Sequence, residues 1–533
     1  MTPGRGARWL LVIAAVGVVL AAATYRAFDL DRFFVPKELV LHTFALALVL
    51  LTLWRVPSLD FRRLDILLAS YLALSAVSAL LATDHWLSAR ALALTLSSAG
   101  IFWAARSTAD TGARRTIVAA AAAATVLGAA TSLAQAYGVT SELFSLNRAP
   151  GGTFGNRNFM AHLAAIGTPA LIFATITARR GWAAALGTLG FAIIAAALVL
   201  SRSRAAWLGL AAGAGLLALG LWRAHRRWSE PTAARRMRGL ALAGAAGILA
   251  SLLLPNTLEW KSDSPYLDTV TGVVNYREGS GRGRIVQYAN TMRIAAAHPL
   301  LGVGPGNWGV VYPKYAAPND PSIDPDDGMT SNPWPSSDWV AILAERGVPA
   351  LAAISLVLFG LLMGAWRRAD RAANTDEYVE GLALATTLVI TVIVAGFDAV
   401  LLLPAPALIA WALFGALAAP SEVRRSVPLS ARNRRRIVSM VLIVGAVAVV
   451  RSSAQLAAMA VFSSARTVAQ FETAALLDPG SYRIRMRLAA LFEERGDCER
   501  ARGAARAARD LYPNAPDPRR IIRNCAAPPK LVP

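Results

Sequence analysis

The chain has 533 residues, 55% of them hydrophobic, with a mean hydropathy of +0.45 and a formal net charge of +21. Apolar runs of about 17–25 residues, each long enough to cross a bilayer as a helix, recur along most of its length and exclude an ordinary soluble domain. The positive charge falls in short clusters at the ends of those runs, with no basic helix interleaved with aromatics, so it reads as an orientation signal and not as a nucleic-acid surface.

Taken in chain order, about thirteen spans are predicted, at 9–25, 38–54, 64–82, 86–105, 116–137, 158–177, 182–200, 205–222, 239–254, 346–366, 379–402, 404–419 and 437–451. The chain is therefore expected to be an all-α polytopic membrane protein of 12–13 transmembrane helices. The first run is long and no small-residue cleavage site follows it, so it reads as a retained helix and not as a signal peptide. With the N-terminus placed in the cytoplasm, Lys and Arg concentrate in cytoplasmic loops, led by RAHRRWSEPTAARRMR (223–238) and RRSVPLSARNRRR (424–436). This orientation leaves two larger pieces of the 1–451 membrane domain and its tail outside: the loop 255–338 and everything after residue 451. The loop holds nine acidic and six basic residues and is rich in Pro, Gly, Asn, Asp and Trp. That composition predicts a folded loop and not a tether.

The tail, 452–533, is Ala/Arg-rich with helical periodicity, and Pro479 and Pro513 lie 34 residues apart. Leu488, Ala489, Phe492, Ala501, Ala505 and Ala508 stand in register with that spacing, and Phe471 and Ala474 take the second-helix positions of a preceding unit. The pattern resembles tetratricopeptide repeats, which implies a module that binds a protein partner or caps its neighbour. The plainer reading is a helical hairpin packed on the outside loop. Cys498 and Cys525, the only cysteines, both fall in this tail. An oxidising compartment permits a disulfide between them, and two buried thiols are the alternative. Their spacing fits no metal motif.

Four polar stretches break the apolar pattern, all on the predicted outer side. GGTFGNRNF (151–159) supplies a glycine turn and the donors Asn156, Arg157 and Asn158, or simply a capped helix entry. SRSRAAW (201–207) places Arg202 and Arg204 in a short turn between two spans. Arginine there is either an interfacial anchor or part of a site, since ionisable groups pinned between spans usually serve one. SGRGRIVQYANTMRIAAAHPLLGVGPGNW (280–308) carries Arg282 and Arg284 into an amphipathic helix. PSSDWVAILAERGVPAL (335–351) carries Ser336, Asp338, Glu345 and Arg346 on an interfacial helix.

In this order, GTFGNRNF, SRAAWLGL, GRIVQY…HPLLGVGPGNW and SDWVAILAERG resemble the O-antigen ligase and polymerase superfamily of bacterial envelope enzymes. The resemblance covers about 150–365. It implies a GT-C-like fold and metal-independent glycosyl transfer without a cofactor, at the periplasmic face of the inner membrane. The donor would be a glycan on a polyprenyl (undecaprenyl) pyrophosphate, and the acceptor a glycan or glycolipid such as a lipopolysaccharide core. The leaving pyrophosphate gains charge as the anomeric bond breaks, and arginines are suited to stabilise it. The family's arginines fall on Arg204 and Arg284, implied to be catalytic, with Arg202, Arg282, Asn156, Arg157, Asn158 and Ser336 as substrate-binding neighbours. One departure stands out: Ser336 occupies the place of a family histidine thought to activate the acceptor hydroxyl. Serine is no general base near neutral pH, so Asp338 is the candidate replacement. A glycan polymerase of the same superfamily is the nearest alternative, followed by a non-catalytic or transport protein of envelope polysaccharide assembly.

Overall fold

The computed structural model describes residues 3–145, 148–227, 231–260, 262–272, 279–317, 319–324, 328–420 and 422–526. Residues 527–533 of the predicted tail lie outside the described residues. Thirteen helices stand at the thirteen predicted span positions: α1 (Pro3–Leu20), α2 (Asp31–Arg55), α3 (Arg63–Leu80), α4 (His85–Thr108), α5 (Arg114–Ala136), α6 (Arg157–Ile176), α7 (Gly181–Ser201), α8 (Arg204–Arg227) and α9 (Pro231–Leu253) come first. After the outer loop, which forms α10 (Pro265–Thr271), α11 (Gly279–Ala297) and α12 (Trp308–Val311), follow α13 (Asp338–Asp370), α14 (Thr375–Ala395), α15 (Pro404–Leu417) and α16 (Ala431–Ser464). Ten helical stretches are long and apolar enough to cross a membrane, and one of them, 85–136, contains both α4 and α5. These two part at Gly112, whose φ of 87° breaks the helical run. The chain is a multi-pass, all-α membrane protein, with one minor exception to the all-helical expectation. Ser58–Phe61 (β1) and Arg425–Pro428 (β2) pair as a short antiparallel ribbon.

The bundle is layered around α6 and α15. Of the most apolar stretch of α6, 94% is buried, against 11% of that of α16. Every residue of α15 is buried. With 14 residues, α15 is about 21 Å long at 1.5 Å per residue, short of the ~30 Å hydrocarbon layer. The expected span 379–402 is accordingly split: α14 ends at Ala395, and residues 396–403 are a non-helical connection with no exposed residue.

Loops segregate to two ends as alternate crossing requires. At one end the ribbon joins the loops after α2 and α15, Arg236 bonds to the Ile176 carbonyl (2.7 Å), and Tyr378 to that of Gly220 (2.7 Å). At the other end Asn307 holds Asp84 (2.7 and 3.0 Å), Tyr288 reaches the Gly396 carbonyl (3.2 Å), and Asn514 of the tail reaches the Val310 carbonyl (3.2 Å). The GVGPGNW stretch is structural. A Cβ on Gly302 would come within 2.2 Å of the Glu345 backbone, so the turn lies flat on α13, and His298 is exposed.

The tail begins later than expected. α16 runs 34 residues, through the predicted boundary at 451 to Ser464. Beyond it α17 (Val468–Leu477), α18 (Tyr482–Glu494), α19 (Cys498–Leu511) and α20 (Pro516–Asn524) pack in succession. Ala474, Leu488, Ala489, Phe492, Ala501 and Ala505 form their core together with Phe28 and Val35 of the membrane domain. The module is thus docked on the bundle. Cys498 and Cys525 are joined, with Cα atoms 5.1 Å apart, and tie α20 to α19.

Candidate functional site

The four polar stretches meet at one cavity of about 590 Å³ at the end of the bundle that carries the outer loop. Each arrives by a local rule. In GGTFGNRNF, Gly155 adopts φ 75° with its α-carbon packed against the Phe33 ring, where a Cβ would approach to 2.4 Å. The turn delivers Asn156 as the N-cap of α6, its Oδ1 accepting from the Asn158 amide at 3.0 Å. The capped helix entry and the polar cluster are therefore the same structure. Arg157 and Asn158, in the first turn, face the cavity.

In SRSRAAW, Arg202 ends α7 in the left-handed region, at φ 52°. A non-glycine residue there is uncommon and signals a constrained position. Its guanidinium donates to Thr269 Oγ1 (2.8 Å) and lies 4.7 Å over the Trp260 ring, which Arg157 also faces at 5.1 Å. Burial pulls the Arg202 guanidinium below its ordinary value, opposed by Asp268, and it stays charged at neutral pH. Arg204 opens α8 and donates to the Gly272 carbonyl. On α11, Gln287, Thr291 and Ile294 are buried at helical spacing, and Arg284, three residues before Gln287, extends that face into the cavity.

Five arginines line the cavity: Arg148, Arg157, Arg202, Arg204 and Arg284. Among the described residues, the single carboxylate in the lining is Asp398. Among the described residues, Arg148, Arg157 and Arg284 make no ion pair. The N-termini of α6 and α8 open on the same space, adding the positive ends of two helix dipoles. The lining therefore carries an excess of positive charge among its described residues.

Ser336 is at its wall, held by its backbone: its N–H donates to Gln287 Oε1 (2.7 Å), and its carbonyl accepts from the Tyr288 hydroxyl (2.5 Å). The cavity thus gathers Asn156, Arg157, Asn158, Arg202, Arg204, Arg284 and Ser336. Two predicted residues stand apart. Arg282 is exposed and is not part of the lining. Asp338 is fully buried, its oxygens accepting from the Val400 (3.1 Å) and Leu401 (2.7 Å) amides. A carboxylate occupied in this way holds the 396–403 connection and does not reach the cavity.

That connection delivers Asp398, which the sequence reading had absorbed into a span. Its Oδ1 accepts from the Ala399 amide at 2.9 Å. Its Oδ2 lies 4.0 Å from His162 Nε2, which in turn is 3.4 Å from Ser203 Oγ. His162, on α6, is 1% exposed, and its Nδ1 has no partner among the described residues. Both residues carried a sequence signal. Asp398 is the only charged residue between Glu380 and Glu422, and His162 interrupts an otherwise apolar span, the setting in which ionisable groups are usually functional.

A second, apolar cavity of about 480 Å³ lies among α6–α9 and α14, bounded by Thr168, Leu198, Trp207, Leu217 and Ile248. Thr168 is six residues along α6 from His162, so it sits about 9 Å deeper in the bundle.

A family model described as O-antigen ligase matches residues 189–355. The matched segment runs from α7 into α13. It includes Arg202, Arg204, Arg284, Ser336 and Asp338 and leaves out Asn156–Asn158, His162 and Asp398. A comparison with curated proteins found no match. The match and the apolar helices support a multi-pass membrane protein of ligase or polymerase type that processes glycans in a lipid bilayer.

Proposed function

We propose that the protein transfers a glycan from a polyprenyl-pyrophosphate carrier to a hydroxyl of an acceptor glycan or glycolipid, on the periplasmic face of the inner membrane. The observation that carries this reading is the five-arginine cavity beside the apolar cavity among α6–α9 and α14. An anionic headgroup in the first and an isoprenoid chain in the second describe one amphiphile.

In the reaction, the bond between the anomeric carbon and the pyrophosphate oxygen breaks, and the electron pair leaves with the pyrophosphate. Arg204 and Arg284, with Arg157 and Arg202 beside them, stabilise that charge where it develops. Guanidinium groups suit the task because they remain ionised and bond phosphate oxygens in pairs. The acceptor oxygen forms the new bond to the anomeric carbon and gives its proton to Asp398. The Ala399 amide, donating to Asp398 Oδ1 at 2.9 Å, holds its orientation. Asp338 acts indirectly, by fixing the connection that presents Asp398.

The sidedness rests on the distribution of Lys and Arg. Transfer to a core glycolipid is the ligase form of the reaction, and transfer to a growing chain is the polymerase form; the cavity chemistry is common to both. The test is turnover of a synthetic undecaprenyl-pyrophosphate disaccharide by purified protein in nanodiscs. Release of undecaprenyl pyrophosphate by the wild type, lost in Arg204→Ala, is expected. A wild type that neither binds nor turns over the donor would overturn the proposal.

A further inference from the structure

A third cavity, of about 300 Å³, adjoins the arginine cavity, and Ser331 and Trp334 belong to the linings of both. Its charge is opposite in sense. Asp29, Asp31, Glu38 and Glu345 line it, against Arg90 and Arg483. Arg90 is already matched, donating to Glu38 (2.9 Å) and Asp31 (2.8 Å). A pyrophosphate is therefore repelled from this chamber and drawn to its neighbour. The remaining wall is aromatic. Trp334 packs edge-on to Phe34 at 5.3 Å, and Phe28 and Tyr512 complete it. Carboxylate acceptors beside aromatic faces match a sugar, whose hydroxyls donate and whose C–H faces are apolar.

Two lining residues come from the tail. Arg483 is on α18, 5.9 Å from the Phe28 ring, and Tyr512 follows α19, with its ring 5.1 Å from Tyr482. We infer that this chamber is the subsite for an uncharged, hydroxyl-rich acceptor glycan and that the C-terminal module forms part of it through Arg483 and Tyr512. The inference rests on the transfer reading above. A sugar held here meets the donor across Ser331 and Trp334. The tail's first role is then to recognise a glycan and not to recruit a protein.

The test uses the full chain, whose two cysteines are paired, so that an introduced cysteine is the single free thiol. Thr330→Cys reports on the acidic chamber, Ser336→Cys on the arginine cavity, and Ser331→Cys on their common edge. Alkylation by iodoacetamide is timed with maltose, lactose and cellobiose as neutral probes and with inorganic pyrophosphate as the anionic one. At ten times its Kd, at least one sugar is expected to slow labelling of Thr330→Cys about tenfold. It should leave Ser336→Cys unchanged, and pyrophosphate should do the reverse. Ser331→Cys should be protected by both kinds of probe. Adding Arg483→Ala or Tyr512→Phe should abolish the sugar's protection. If no sugar protects Thr330→Cys or Ser331→Cys while pyrophosphate still protects Ser336→Cys, the subsite is refuted and the donor site stands. If sugar protection survives both tail substitutions, the tail's part is refuted. If pyrophosphate fails to protect Ser336→Cys, the transfer reading itself falls.

Discussion

Arg284 and Arg282 lie two residues apart on the first turns of α11, yet the structure assigns them opposite fates. Arg284 faces the anion cavity, and Arg282 is exposed outside its lining. Replacing Arg284 with Ala removes one charge-assisted donor pair from a bound pyrophosphate. Such a pair contributes about 1.5–3 kcal/mol, which corresponds to a 10- to 150-fold weaker Kd. The effect on turnover should be larger, because the leaving oxygen carries more charge in the transition state than in the ground state. Loss of one such donor typically lowers kcat by about 10²–10³. Arg284→Lys keeps the charge and loses the fork, so it should fall between the two. Arg282→Ala should stay within about twofold of the wild type, as an exposed charge away from the ligand does. Pyrophosphate binding by calorimetry and donor turnover in nanodiscs measure both quantities. Equal losses at 282 and 284, or none at 284, would refute the placement of α11 against the cavity.

The carboxylates give a second contrast. Asp398→Asn should lower transfer at least about 10²-fold, the usual contribution of a positioned base, with pyrophosphate binding retained and the melting midpoint unchanged. Asp338→Asn should lower transfer and the melting midpoint together. It leaves a buried amide of the 400–401 turn imperfectly paired, at a cost of about 1–3 kcal/mol. Scanning calorimetry separates the two, and an unchanged midpoint for Asp338→Asn would count against its positioning role. Trp260→Ala removes the ring shared by Arg157 and Arg202 and should weaken pyrophosphate binding about 5- to 30-fold, in line with about 0.5–1 kcal/mol for each of the two cation–π contacts. Ala214→Trp fills the apolar cavity. It should raise KM for an undecaprenyl donor and leave KM for a short-chain, soluble donor unchanged; a parallel rise for both would detach that cavity from the lipid chain.

The helices were legible because apolar runs of membrane length are an unambiguous signal, and each predicted span has a helix at its position. The polar stretches were legible for the same reason inverted: Arg202 and Arg204 stand out between two apolar runs where charge is rare. Asp398 was not, because 379–402 is continuously apolar around it and hydropathy cannot register a helix that stops at Ala395. Asp338 was misread because an acid beside a candidate site looks the same in sequence whether its oxygens face the cavity or, as here, the amides of Val400 and Leu401. Arg282 and Arg284 were equivalent until the buried face of Gln287, Thr291 and Ile294 fixed the rotation of α11. The tail's core positions were visible from their spacing. Its docking on Phe28 and Val35 was not, since contacts between segments over 400 residues apart leave no local pattern.

The most direct test of the central claim is a structure of the protein in nanodiscs with an undecaprenyl-pyrophosphate disaccharide. The account predicts pyrophosphate density bridging Arg204 and Arg284, the isoprenoid chain leading past Trp207 into the apolar cavity, and the first sugar directed toward Asp398. Density for the headgroup elsewhere, with the five arginines unoccupied, would contradict it.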